Sequence, residues 1–326
     1  MANSQMQRIR PLRRLRQRSG SEPAPPKRRR GATSTLSVRL ITIAPAVVLF
    51  AAFIIQPIIQ LVRMSFSNVQ MLNGRLTYHP NGAVNYEMAL TSPQLLNSAW
   101  LTIVFALATV GLSVSLGTLL ALLVNRAVIL SKLAGSILLW PALIAPVVVS
   151  VTWFLILSPQ IGGLNKTLSV LGIPGQSWLA DEFGAMASVI LLDTWHWTPL
   201  VFVLVYAGVL AVEPEYFEAA RIDGASEFQI YRKIVLPLLA PTIAAAALLR
   251  LTMGAKAFDE FYLLTHGGPG DSTRLVSLYI RDVFFDQLKF GAGASISILV
   301  VVAVLIVIGL VLIGRGLTRM RQRGTI

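Results

Sequence analysis

Cysteine does not occur anywhere in the 326 residues. That excludes a disulfide framework and a thiolate metal site. Charge is also scarce, at 13% of residues against 55% hydrophobic, which is too apolar for an ordinary soluble domain. The dipeptide Gly-Lys is missing, so there is no G-x-x-x-x-G-K-[ST] phosphate loop, and the chain is not expected to hydrolyse ATP itself. There is no H-E-x-x-H, and the three histidines, His79, His196 and His266, lie far apart in the sequence. A metal site or hydrolytic triad therefore has no support, and neither a cofactor nor a catalytic residue is expected. No fixed-period repeat of the kind solenoids need is present.

The net charge of +13 is unevenly placed. Residues 1–39 hold eleven Lys/Arg and one acid, Glu22, which leaves only +3 for the rest of the chain. Pro23, Pro25 and Pro26 precede Lys27-Arg28-Arg29-Arg30, so residues 1–39 read as a disordered basic tail, retained in the cytoplasm and suited to anionic lipid heads. No aromatics are interleaved with these charges, so nucleic acid is not the expected partner. The first apolar run starts near residue 40, is longer than a signal-peptide core and reads as a retained span.

A bilayer-crossing helix needs about 20 apolar residues. Six stretches qualify: 40–62, within 98–124, within 134–157, 185–210, 240–264 and 291–314. Asp193 interrupts the fourth, and Arg250, Lys256, Asp259 and Glu260 interrupt the fifth. Pro57, Pro141, Pro146 and Pro199 fall inside spans and are expected to kink them. The reading is an all-α integral membrane protein with a six-span body over 40–314 and a short basic tail at 315–326. With the N-terminus inside, inner segments hold twenty Lys/Arg and outer loops six, which places both termini in the cytoplasm. The outer loop 63–97 is too short for a separate domain and carries turn signals at Asn73-Gly74 and Asn81-Gly82. Asn165-Lys166-Thr167 matches a glycosylation sequon, read here as chance.

Between the fourth and fifth spans lies a polar loop, 213–239. Pro214 suits the first turn of a helix over roughly 214–223, Gly224 its left-handed end, and Ser226 with Gln229 a capping box for a second helix that Pro237 stops. Ala219 and Ala220 leave room for close approach by a partner. Glu218-Ala219-Ala220, three residues, Gly224, nine residues, then Ile234-x-Leu236-Pro237 resembles the coupling loop of permease subunits of binding-protein-dependent ATP-binding-cassette importers. The resemblance implies that Glu218, Ala219, Ala220, Asp223, Gly224, Ile234, Leu236 and Pro237 meet an ATPase.

The fifth span is informative by itself. Ionisable residues at membrane depth are costly and turn towards a bundle interior or a wet cavity. Lys256 can pair with Glu260 or Asp259 on a continuous helix, and Phe258 and Tyr262 share a face. A transport path and a structural ion pair both fit. Trp153, Trp195, Trp197, Tyr206, Phe258 and Tyr262 are candidate sugar-stacking rings, each also explained by packing or interfacial anchoring, and His196 reads as a hydrogen-bonded bundle histidine. The path candidates are Trp195, Lys256, Phe258, Asp259, Glu260 and Tyr262. Residues 193–208 and 258–273 resemble the maltose, oligosaccharide and glycerol-phosphate permease group. That resemblance implies a bacterial cytoplasmic-membrane importer built with a second homologous permease, an ATPase dimer and an extracytoplasmic sugar-binding protein, moving a sugar by alternating access. The residues alone also admit a proton-coupled secondary transporter using Asp193, Lys256, Asp259 and Glu260, or a non-transporting membrane scaffold that docks through the loop.

Overall fold

A computed structural model describes the backbone of residues 32–126 and 131–323, and the side chains of 42–125, 137–310 and 313. Helix α1, Ala32–Ser65, starts eight residues inside the stretch read as a tail; residues 1–31 lie outside the described residues. The chain divides into two units, 1–56 and 57–326, and every contact given below lies within the second.

In α1, Phe50 and Phe53 are 70% and 77% exposed, as are most of their apolar neighbours. A continuous apolar surface of this kind belongs in hydrocarbon, because soluble proteins do not present such patches to water. After α1, strands β1, Ser67–Leu72, and β2, Arg75–Pro80, form an antiparallel hairpin. Its two-residue turn is Asn73-Gly74, both with positive φ (49° and 73°), the geometry that matches strand twist. Helix α2, Val84–Leu90, follows, and its Asn85 amide bonds the carbonyls of Ser65 and Ser67, tying the hairpin base down.

Helix α3, Pro93–Arg126, crosses against α7. Gly117 makes this possible: a Cβ there would lie 2.7 Å from Val201 Cγ1. Helices α4, Ser131–Leu143, and α5, Pro146–Ile156, are expected as one span but are bent by 104° at Ile144-Ala145. Pro146 has no N–H to continue the first ladder and suits the first turn of the second helix, so the break falls in front of it. Helix α6, Gly163–Val170, carries Asn165, which is 6% exposed and whose amide bonds the Gln176 backbone and the Trp178 indole. That side chain is structural, in keeping with a chance sequon.

Helix α7, Glu182–Leu210, is the central helix, capped at its start by the Asp181 carboxylate on Gly184 N–H. Val189, Leu192, Val201, Phe202 and Val205 are buried along it. Helix α8, Pro214–Ile222, and α9, Glu227–Ile230, form the polar loop. Pro237 does not stop the second helix. A π-turn at Tyr231–Val235 joins α9 to α10, Leu236–Gly254, and 227–254 form one spanning segment. The π-turn shifts the carbonyl four residues before Pro237, where the proline ring would otherwise clash.

The fifth span also differs from expectation. Its helix ends at Gly254, and α11, Asp259–Leu264, is a separate short helix. Helix α12, Val276–Arg281, runs into a second π-turn, Asp282–Asp286, and α13, Phe290–Arg323, closes the fold. Helix α13 therefore continues through most of the 315–326 stretch read as a tail. Among the described residues, five helices are long and apolar enough to cross a bilayer, and the bent α4–α5 pair brings the number to six if it counts as one span. Among the described residues the fold is all-α apart from the hairpin.

Candidate functional site

Two constellations stand out, one at each end of the α7–α10 pair. The first is the α8–α9 loop. Its local structure follows from its caps. Pro214 is in the first turn of α8, and the helix ends in a Schellman motif: Gly224 N–H bonds Arg221 O at 3.1 Å and Ala225 N–H bonds Ala220 O at 3.0 Å. Gly224 has φ +80°, a conformation glycine adopts without strain. Ser226 Oγ accepts from Gln229 N–H while Gln229 Oε1 accepts from Ser226 N–H, which completes the capping box. Arg221 Nε donates to Glu227 Oε1 at 2.9 Å across the turn, and this carboxylate raises the guanidinium above its ordinary value.

The motif residues divide between two faces. Glu218, Ala219, Asp223, Gly224 and Pro237 are exposed. Ala220 is 6% exposed and packs with Val205, Ile230 and Val235, so it seats α8 on the bundle and is not available to a partner. Ile234 and Leu236 are half-buried. Apolar side chains that face out from this polar loop include Ile222 at 86% and Phe228 at 71% exposed. Beneath the loop lies a cleft of about 510 Å³ lined by Asn125, Phe217, Glu218, Arg221 and Tyr231 among others.

The second constellation is charged and deep. Arg250 on α10 is fully buried and pairs through Nη2 with Asp193 Oδ2 on α7. Its Nε and Nη1 are buried without a hydrogen-bond partner. Unpaired donors of this kind are rare, because each loses its hydration without compensation. A polar cavity of about 140 Å³ lies beside them, lined by Asp193, Trp197, Arg250, Lys256, Phe258, Asp259 and Glu260. This volume holds a few waters or one part of a larger solute.

His196 is fully buried, and its Nε2–H donates to Ile144 O at 3.1 Å. That carbonyl is freed by the α4–α5 break, since Val148 and Val149 N–H both bond Ala145 O. The histidine thus restores a bond the break removes. Its Nδ1 lies 3.9 Å from Glu260 Oε1.

Of the path candidates, Lys256, Phe258, Asp259 and Glu260 meet at this cavity. The expected pairing of Lys256 with Asp259 or Glu260 is absent among the described residues, because the helix that would align them breaks after Gly254. Phe258 and Tyr262 do share a face and stack on each other, with centroids 5.4 Å apart. Trp195 does not join the cavity: it is 43% exposed and sits 5.9 Å from the Trp153 ring. Trp197, two residues on and turned about 200° around the helix, takes that place. Sequence reasoning missed the Asp193–Arg250 pair, although a single acid in one span and a base well inside the next are the available signal.

The profile of the binding-protein-dependent transport system inner membrane component family matches residues 113–323. The trehalose/maltose transport system permease protein MalF of Thermococcus litoralis is 32% identical over 260 residues, covering 78% of this chain and 86% of the relative. The arabinooligosaccharides transport system permease protein AraP of Bacillus subtilis is 30% identical over 258 residues, covering 78% and 81%. The crystal structure of a bacterial ABC transporter involved in the import of the acidic polysaccharide alginate has a chain of the same fold, with a TM-score of 0.75 at 22% identity, covering 88% of this chain and 96% of that one.

Proposed function

We propose that the solute carried by this chain, which belongs to the binding-protein-dependent transport system inner membrane component family and is a permease subunit of an ATP-binding-cassette importer, is a sugar or a sugar-like polyol. The observation that supports this most directly is the cavity at the buried Arg250, where unpaired guanidinium donors, carboxylates and the Phe258 and Trp197 rings converge. Hydroxyl groups match such a mixed donor and acceptor lining, and aromatic rings match the apolar face of a pyranose.

In this reading the exposed face of α8, with Glu218, Ala219 and Asp223, docks on an ATPase dimer, and Gly224 sets the angle at which α9 departs. Ile234, Leu236 and Pro237 fix how the loop enters α10. A second homologous permease completes the path, and an extracytoplasmic binding protein delivers the sugar. The body crosses the membrane six times, with α4–α5 as one broken span and both termini in the cytoplasm. ATPase closure moves α8, and the α7 and α10 helices carry that movement to the cavity. Family membership favours this over a proton-coupled carrier.

Membrane vesicles holding this chain with its ATPase, second permease and binding protein test the reading. ATP-dependent uptake of at least one of labelled trehalose, maltose or an arabino-oligosaccharide is expected. Uptake that persists without ATP and collapses with an uncoupler, or ATP-dependent uptake confined to solutes that are neither sugars nor polyols, overturns it. Topology is checked separately with single cysteines at Ser169 and Ser226, both exposed, in a chain with no other cysteine. In intact cells an impermeant thiol reagent is expected to label position 169 and spare 226. Labelling at 226 reverses the orientation and removes the docking role.

A further inference from the structure

A second cavity, of about 340 Å³, is lined by Tyr262, His266, Arg274, Arg281, Asp282 and Asp286 among others. Phe258 lines the first cavity and Tyr262 the second, and the two rings stack at 5.4 Å with only 12° between their planes. Parallel rings this close are in van der Waals contact, so nothing passes between these two side chains. The Arg281 guanidinium carbon sits 5.0 Å from the Tyr262 centroid. Arg281 is itself held by Asp282 at 3.1 Å and Asp286 at 2.5 Å, both supplied by the π-turn that follows α12. Single π-turns inside helices recur at functional sites.

We infer that the Arg281–Tyr262–Phe258 stack is the outer barrier of the solute path, with Arg281 a positioning residue that holds it shut between an outer vestibule and the charged cavity. This rests on the importer reading above. The chemistry of the parts explains the arrangement. A ring alone rotates readily, but a cation seated on it and tethered to two carboxylates restrains it. The tether is only partly buried, with the Arg281 and Asp286 side chains 31% and 53% exposed. A protein docking on the outer surface therefore has access to the carboxylates and can draw the arginine away. Phe285 and Leu288, 66% and 55% exposed beside this π-turn, give such a partner a foothold.

The test uses the complete transporter in cells. Ala257→Cys places a single thiol at the charged cavity, next to Phe258. Labelling by an impermeant thiol reagent added outside is expected to be slow in this background. Arg281→Ala and Tyr262→Ala are each expected to speed it about two- to fivefold, the factor implied by losing a partly exposed cation–π contact. Tyr262→Phe, which keeps the ring, should leave the rate unchanged. The first two variants should also raise ATPase turnover in the absence of the binding protein, a readout that a merely structural role does not move. Where Arg281→Ala lowers abundance, Arg281→Gln replaces it, retaining a hydrogen bond to Asp286. Fast labelling in the Ala257→Cys parent, or an unchanged rate in both opening variants at normal abundance, overturns the barrier. Labelling is read without uptake. Normal uptake with unchanged labelling rejects the barrier alone, and accelerated labelling with no sugar uptake in the parent rejects the importer reading alone.

Discussion

Arg250→Ala is expected to remove most of the protein from the membrane. The substitution leaves the Asp193 carboxylate, whose side chain is 3% exposed, without its counter-ion between α7 and α10. Breaking a buried ion pair from one side costs about 3–5 kcal/mol, since the surviving charge stays desolvated. That is a large share of the roughly 5–15 kcal/mol that separates folded from unfolded domains. Asp193→Ala should be comparably severe, because it strands a guanidinium that already has two unpaired donors. The paired replacement Asp193→Leu/Arg250→Met removes both charges and is expected to recover abundance, since apolar pairs of similar volume substitute for buried ion pairs at little cost. It should not recover sugar uptake if the cavity reading is right. Membrane abundance and the thermal midpoint in detergent give the first comparison, and vesicle uptake gives the second. A double variant as scarce as either single one would show that the pair is not what holds α7 to α10.

That pair also marks where the sequence stopped being legible. Asp193 is visible as the lone charge of its span and Arg250 as one of four in the next, but their partnership joins residues 57 apart and depends on how two helices cross. Local rules were enough for the α8–α9 loop: a proline at the start of a helix, a glycine at its end and a Ser-x-x-Gln box each act within a few residues, and each is found as expected. Hydropathy placed the spanning helices, since it depends only on composition along one helix. It could not show that 240–264 is broken. Gly254 and Ala257 are compatible with a helix, and the break allows Phe261 to pack edge-on against Phe105 at 4.7 Å, a long-range contact. Proline was read too rigidly at 237, where a π-turn absorbs it, and correctly as a disturbance at 146, where the helix axis turns by 104°. The face of Ala220 was misjudged for the same reason as the ion pair: which side of α8 is buried is set by α7 and α9, not by the loop.

The turn at Gly224 carries the second large effect. A Cβ built there meets nothing within 4 Å, so a side chain has room and any penalty arises in the backbone. With φ at +80°, an L-residue pays about 1–2 kcal/mol, and a β-branched one more, because its Cβ crowds the following carbonyl. At about 1.4 kcal/mol per factor of ten, Gly224→Val should reduce the population of the correct turn tenfold or more. The two Schellman bonds would be lost first, releasing α8 from the line of α9 and α10. Helix α8 would still form, since Pro214 and its own hydrogen bonds are untouched, so protein abundance should hold while uptake falls about tenfold. Gly224→Asn discriminates, because asparagine tolerates the left-handed region, and it should keep uptake within about twofold of the parent. Glu218→Ala acts differently. It leaves the turn intact and removes an exposed charge, so it should reduce co-purification of the ATPase without altering the loop. If Gly224→Val transports at the parental rate with a full complement of ATPase, the angle between α8 and α9 is irrelevant to energy transfer, and the docking role proposed for this loop fails with it.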